Sequence, residues 1–236
     1  MLQDKTALIT GATGALGATV TRAFAQTQAR LVLTGRSKEK LERLASEISL
    51  PEERILTAAA DVTQAADVQA LVAAVAARFG RINVLLNVAG GWSGGKPVGE
   101  TSVEDWDRLV ALNLRSAFLL SRAVLPGMLE AGWGRIVHIS SKTAVEPRAK
   151  QAAYAVSKMG LITLTEVIAA EVKGSGVTAN VILPSIIDTP ANRESIPKAD
   201  PAKWVKPEHI AATMRFLCSE EAASINGAHI PIYGAI

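Results

Sequence analysis

The sequence predicts an α/β fold: a doubly wound parallel sheet flanked by helices, in a single domain spanning 1–236. Three observations predict it. Short β-rich runs alternate with helical stretches of ten or more residues, the pattern of strand–helix–strand units. INVLLNVAG is apolar on both faces, as buried parallel strands are. The composition, 49% hydrophobic and 20% charged, supplies a large core and is too apolar for disorder.

The elements follow in order. TALIT (6–10) reads as a strand that stops at Gly11. GATVTRAFAQTQA (17–29) has helical spacing at Val20 and Phe24. RLVLTG (30–35) is a strand. SKEKLERLASEI (37–48) is a helix that Ser37 can cap, with Leu41, Leu44 and Ile48 forming its apolar stripe. RILTAAADV (54–62) is a strand, AADVQALVAAVAARFG a helix closed by Gly80, and INVLLNVAG (82–90) a strand. A long helical region covers about 102–131 and breaks near Asn113. GRIVHISS (134–141) is a strand, 152–172 a helix, VTANVILP (177–184) a strand, PEHIAATMRFLCS a helix and GAHIPIYG a last strand. The stretch 185–205, with Pro190, Pro197 and Pro201, reads as loop. No repeat or low-complexity linker marks a domain boundary.

Bulk properties exclude several functions. Net charge is +3 with no run of five Lys or Arg, so a nucleic-acid partner is not expected. Cys218 is the only cysteine, which permits no internal disulfide and suits a reducing, cytoplasmic setting. It lies in an apolar helical stretch and reads as core. The chain enters a strand at once, without a signal peptide, and no uninterrupted apolar run reaches the roughly 18 residues of a membrane span. No metal is expected.

Ligands of such sheets bind at the carboxyl ends of strands, at the turns that follow. The first turn is TGATGALG (10–17). Gly11, Gly14 and Gly17 allow a tight turn, close approach of backbone to phosphate and close helix–strand packing. The helix N-terminus offers free N–H groups to a pyrophosphate. Gly11, Thr13, Gly14, Leu16 and Gly17 are therefore the expected cofactor-binding residues here. The second strand ends in TGRS. An NAD site places a carboxylate near this point to hold the ribose hydroxyls. Here stand Gly35 and Arg36, with Ser37 beside them, and a guanidinium favours a 2′-phosphate. NADP(H) is expected in preference to NAD(H).

YAVSK (154–158) puts Tyr154 and Lys158 four residues apart on one helix face. A free phenol has a pKa near 10, and an adjacent ammonium is expected to lower it toward working pH, which makes a general acid. Ser141, at the end of the fifth strand, can hold a substrate carbonyl oxygen beside the phenol. Ser140, the alternate residue, is expected on the opposite side of the strand.

Together these motifs resemble the short-chain dehydrogenase/reductase family over essentially the whole chain. They are the glycine turn 10–17, DV at 61–62, NVAG at 87–90, Asn113 in LNLR, Ser141, Tyr154 with Lys158, and Pro184 to Thr189. The resemblance implies a Rossmann-type fold. It implies that Asp61 and Val62 contact the adenine, that Asn87, Ala89 and Gly90 line the cofactor pocket, and that Lys158 also binds the nicotinamide ribose. Asn113 would kink its helix and hold a water in a proton relay to Lys158. Pro184 would precede the carboxamide-binding residues Ile187 and Thr189. Tyr154 would donate the proton as hydride reaches the carbonyl carbon. Homodimers or homotetramers, built through the helices near 102–131 and 152–172, are implied as well. The chain departs from the family pattern at Ala15, at Pro184-Ser185, in the short segment after Thr189 and in the terminal PIYGAI.

Three functions are open at this level. The first is an NADPH-dependent carbonyl reductase acting on a small molecule, with 3-oxoacyl thioesters among its candidate substrates. The second is a dihydropteridine reductase-like enzyme. GALG, VAGGWSGG and LPSIIDTPANRESIPKAD resemble that group, and Trp92 would stack on a flat pterin. Arg36 and Ser141 favour the first. The third, a non-catalytic cofactor-sensing regulator, is opposed by the intact Ser–Tyr–Lys set.

Overall fold

A computed structural model describes residues 2–235 and leaves Met1 and Ile236 outside the described residues. Seven strands form one parallel sheet: β1 (Thr6–Thr10), β2 (Arg30–Gly35), β3 (Ile55–Ala59), β4 (Val84–Asn87), β5 (Gly134–Ile139), β6 (Val177–Pro184) and β7 (His229–Ile232). Their spatial order is β3-β2-β1-β4-β5-β6-β7. The order reverses between β1 and β4, which makes that point the topological switch where such sheets bind ligands.

The connecting helices are α1 (Ala15–Ala25), α2 (Lys38–Ile48), α3 (Ala65–Phe79), α4 (Val103–Val110), α5 (Ser116–Glu130), α6 (Lys142–Val145), α7 (Ala152–Glu171), α8 (Pro190–Ser195) and α9 (Pro207–Leu217). Alternation along the strands builds two core layers. Ala7 and Ile9 of β1, with Leu31 and Leu33 of β2, face α1 and α9 through Val20, Phe24, Ile210 and Met214. The intervening Leu8 and Val32 face α3, α5 and α7 through Leu71, Leu120 and Ile168. Cys218 is buried in the first layer, where burial pushes its thiol up to about 12. It is core, as expected. By length and composition Val103–Glu130 and Ala152–Glu171 each suffice to cross a membrane, yet both contribute buried residues to the layer against the sheet.

Several expected elements are shorter or different. The expected strands 54–62, 82–90, 134–141 and 227–234 are trimmed to 55–59, 84–87, 134–139 and 229–232. β5 ends first: its register with β6 runs only as far as Ile139 opposite Ile182, while β6 continues to Pro184 against β7. Asp61, Gly90 and Ser141 therefore sit just past strand ends. The helix at 102–131 does not break. It widens into a π-helical segment, Ala111–Arg115, that joins α4 to α5 and carries Asn113. The expected loop 185–205 contains α8, with the Thr189 hydroxyl accepting from Asn192 N at its start and Pro190 in its first turn.

Candidate active site

The glycine turn joins β1 to α1. Gly11 has φ +61°, a left-handed conformation that glycine adopts without strain. A Cβ on Gly17 would lie 2.0 Å from Gly11 O, so only glycine lets helix and turn come this close. Gly14 is the N-cap, no side chain caps the helix, and its first turn holds no acidic residue. Those N–H groups suit a pyrophosphate. Thr13 lies beside Gly35, its Oγ1 at 3.4 Å from a Cβ built there, and Leu16 is core.

Arg36 is exposed at the end of β2, and Ser37 caps α2 by accepting from Lys40 N. Asp61 stands opposite. Hydrogen bonds from Thr63 hold its carboxyl below the usual range, and the charge of Arg36 adds to this. Val62 is buried in the α3 layer. Ile187 pairs with Val205, and its carbonyl accepts from Asn192 Nδ2. The residue before it in the motif, Pro184, closes β6.

The loop after β4 meets Asn113 and Lys158. Asn113 is buried and its carboxamide grips the loop: Nδ2 donates to Gly91 O at 3.0 Å and Oδ1 accepts from Gly91 N at 2.9 Å. Nδ2 also reaches Ser157 Oγ at 3.1 Å. A Cβ on Gly90 would lie 3.1 Å from Asn113 Oδ1 and 3.2 Å from Lys158 Nζ. Gly90 thus leaves the space that these two groups share.

Lys158 is buried and donates through Nζ to Ile139 O at 2.8 Å. Burial lowers its ammonium to about 8. The Tyr154 phenol is raised by burial, while a hydrogen bond with Ser141 opposes the rise. The expected lowering by Lys158 is therefore absent. The ammonium is bonded to Ile139 O, and desolvation of a buried phenolate dominates. Ser140 also departs from expectation. The strand ends before it, so alternation lapses, and its hydroxyl donates to Lys158 O at 2.8 Å on the same helix that Ser141 meets.

Trp92 is 62% exposed on the rim. Behind it, Gly95 N donates to Lys150 O at 2.8 Å. A cavity of about 70 Å³ opens between Ser93, Asp105 and Gln151. The Gln151 Oε1 at its wall is buried without a protein partner. Sequence reasoning missed Gln151, Ser157 and His138. For His138 a signal existed: a polar residue inside an otherwise apolar, doubly covered strand.

This frame, a glycine turn at the switch point with a serine, a tyrosine and a lysine on the adjoining strand end and helix, has the layout of a dinucleotide-dependent oxidoreductase. The comparisons agree. The family model for short chain dehydrogenase matches residues 5–200. D-threitol dehydrogenase of Mycolicibacterium smegmatis is 39% identical, covering 99% of this chain and 93% of that protein. The 3-oxoacyl-(acyl-carrier-protein) reductase of Thermotoga maritima is 31% identical, over 100% of this chain and 98% of that one. The crystal structure of actinorhodin polyketide ketoreductase with NADPH superposes with TM-score 0.90 at 28% identity, covering 99% and 98%. The chain belongs to the short-chain dehydrogenase/reductase family, and as such is an NAD(P)-dependent oxidoreductase.

Proposed function

We propose that this chain is an NADP(H)-dependent enzyme that interconverts a carbonyl and an alcohol on a small molecule. The observation that carries the reading is the hydrogen bond between Ser141 and the Tyr154 phenol, one helical turn from buried Lys158. Tyr154 Oη gives its proton to the substrate oxygen during reduction, and Ser141 holds that oxygen. Lys158, tied to Ile139 O and facing Gly90, would hold the nicotinamide ribose, and Asn113 fixes the loop above. The nicotinamide, when bound, supplies or accepts the hydride. The cofactor is held by Gly11, Thr13, Gly14, Leu16 and Gly17 at the turn, and by Asp61, Val62, Asn87, Ala89 and Gly90 along the wall. Pro184, Ile187 and Thr189 close the nicotinamide end.

Arg36, where an NAD site carries a carboxylate, supports NADP(H). Arg36→Asp is expected to weaken NADPH binding by more than about tenfold and to spare NADH. Unchanged NADPH affinity in a fluorescence titration rules this assignment out.

The first substrate class is a ketone or 3-oxoacyl thioester. The relatives named above cover a polyol and a 3-oxoacyl thioester by name, which fits a carbonyl/alcohol reaction. The exposed indole of Trp92 favours a second reading, a flat pterin stacked on the rim. NADPH consumption with acetoacetyl thioester, simple ketones, a polyol-derived ketone and quinonoid dihydropterin in parallel separates them: turnover of the pterin alone selects the second. The exposed Phe118 of α5 and Val156, Met159 and Val167 of α7 support a homodimer or homotetramer, which sedimentation checks.

A further inference from the structure

Three strands end in a row of polar side chains. Strand register sets Thr10 of β1 beside Asn87 of β4, and Asn87 beside His138 of β5. All three are fully or almost fully buried, and the residues two positions before them on the same face, Leu8, Leu85 and Ile136, are apolar and buried. Such a row persists only when its groups are paired.

The pairing has one consistent direction. Ala89 N–H is a donor and meets Thr10 Oγ1 at 3.1 Å. The buried Thr10 hydroxyl then needs an acceptor for its own hydrogen, and Asn87 Oδ1 is 2.8 Å away. This fixes the Asn87 amide, and its Nδ2 faces His138 Nδ1 at 3.3 Å. Nδ2 is only a donor, so Nδ1 must be the bare nitrogen of the ring. The proton of a neutral imidazole is thereby placed on Nε2, which lies 3.4 Å from Ser121 Oγ on α5.

We infer that His138 is a positioning residue of the cofactor wall, held as the Nε2–H tautomer so that its Nδ1 orients Asn87 and, through Thr10, the backbone at Ala89. Burial, with a smaller push from the Lys158 charge, lowers the imidazole to about 3, so it is neutral wherever the enzyme works. The placement extends beyond one residue. The next three positions of the chain hold helix α7: Ile139 O accepts from the Lys158 ammonium, the Ser140 hydroxyl donates to the Lys158 carbonyl, and Ser141 meets Tyr154. The end of β5 therefore ties the cofactor wall and the proton-transfer group to one rigid segment. His138 is the tie on the cofactor side.

The inference rests on the reading that 87–90 is cofactor wall. Three variants of the full chain separate the roles. Asparagine at 138 places an amide oxygen where Nδ1 stands; glutamine reaches instead toward Ser121; leucine does neither. His138→Gln and His138→Leu are expected to raise the NADPH Kd about tenfold, the scale of one buried polar group left unpaired, and His138→Asn to rescue binding to within about threefold of wild type. Equal behaviour of the Asn and Gln variants, or wild-type binding by all three, overturns the role. If the variants do not fold, side-chain 15N spectra of the wild-type protein decide: a protonated Nε2 with bare Nδ1, unchanged from pH 8 to 5, is expected, and a protonated Nδ1 or a charged ring overturns it. A wild type that binds neither NADPH nor NADH sinks the cofactor reading itself, a different outcome from normal binding with indifferent His138 variants.

Discussion

Lys158 is buried, and burial lowers its ammonium to about 8. Below about pH 8 the ammonium is present and donates to Ile139 O; above it that charge fades. The kcat/KM for carbonyl reduction is therefore expected to fall as pH rises through about 8, and Lys158→Met should remove that limb and leave a low, flat profile. At the rim, Trp92→Ala is expected to raise the substrate KM severalfold, with NADPH affinity almost unchanged. Collapse of cofactor binding in that variant contradicts the division of the loop into cofactor wall (Asn87 to Gly90) and substrate rim (Gly91 to Gly95). Most of these residues were legible in the sequence because motif and order expose them. The pKa direction of Tyr154 was not, because it depends on how deeply the phenol is desolvated and on which carbonyl captures the lysine.

At the level of elements, the turn from β1 to α1 is the tightest joint. Gly17→Ala forces a methyl group to within 2.0 Å of Gly11 O unless the backbone shifts. We expect cofactor affinity to fall by more than about tenfold while the circular dichroism spectrum stays that of wild type; unaltered affinity contradicts the close-approach account. Strand and helix identity was legible from alternation and from caps such as Ser37. Strand ends were not, since Ser141 lies beyond the last β5 residue in register with β6, Ile139 opposite Ile182, and no local pattern marks that limit. The same limit hid the π-helical segment at Asn113. A polar residue in a helical pattern announces a disturbance and does not say whether the helix breaks or widens. The short helix α8 carried a readable start, Thr189 followed by Pro190, that the density of prolines around it masked.

For the whole molecule, acid is the condition that sets buried chemistry against folding. Unfolded, His138 takes a proton near pH 6.5; folded, it does so only near pH 3. The unfolded state binds more protons throughout that window, so stability falls as pH drops through it, by about 1.4 kcal/mol for each unit of separation. Denaturant midpoints measured from pH 7 to 4 should fall more steeply in wild type than in His138→Asn, which has no imidazole to protonate. Equal slopes contradict the burial of a neutral ring. The molecule as a whole is a sheet whose switch point brings a dinucleotide turn, a loop wall and a Ser–Tyr–Lys set to one edge. We propose that Tyr154 transfers the proton in an NADPH-dependent carbonyl reduction. The direct measurement is NADPH consumption with the carbonyl panel by wild type and by Tyr154→Phe, together with NADPH binding by both. Turnover in wild type is expected, with a loss of about a hundredfold or more in the variant and equal cofactor affinity in both. A phenylalanine variant that turns over as fast as wild type contradicts it.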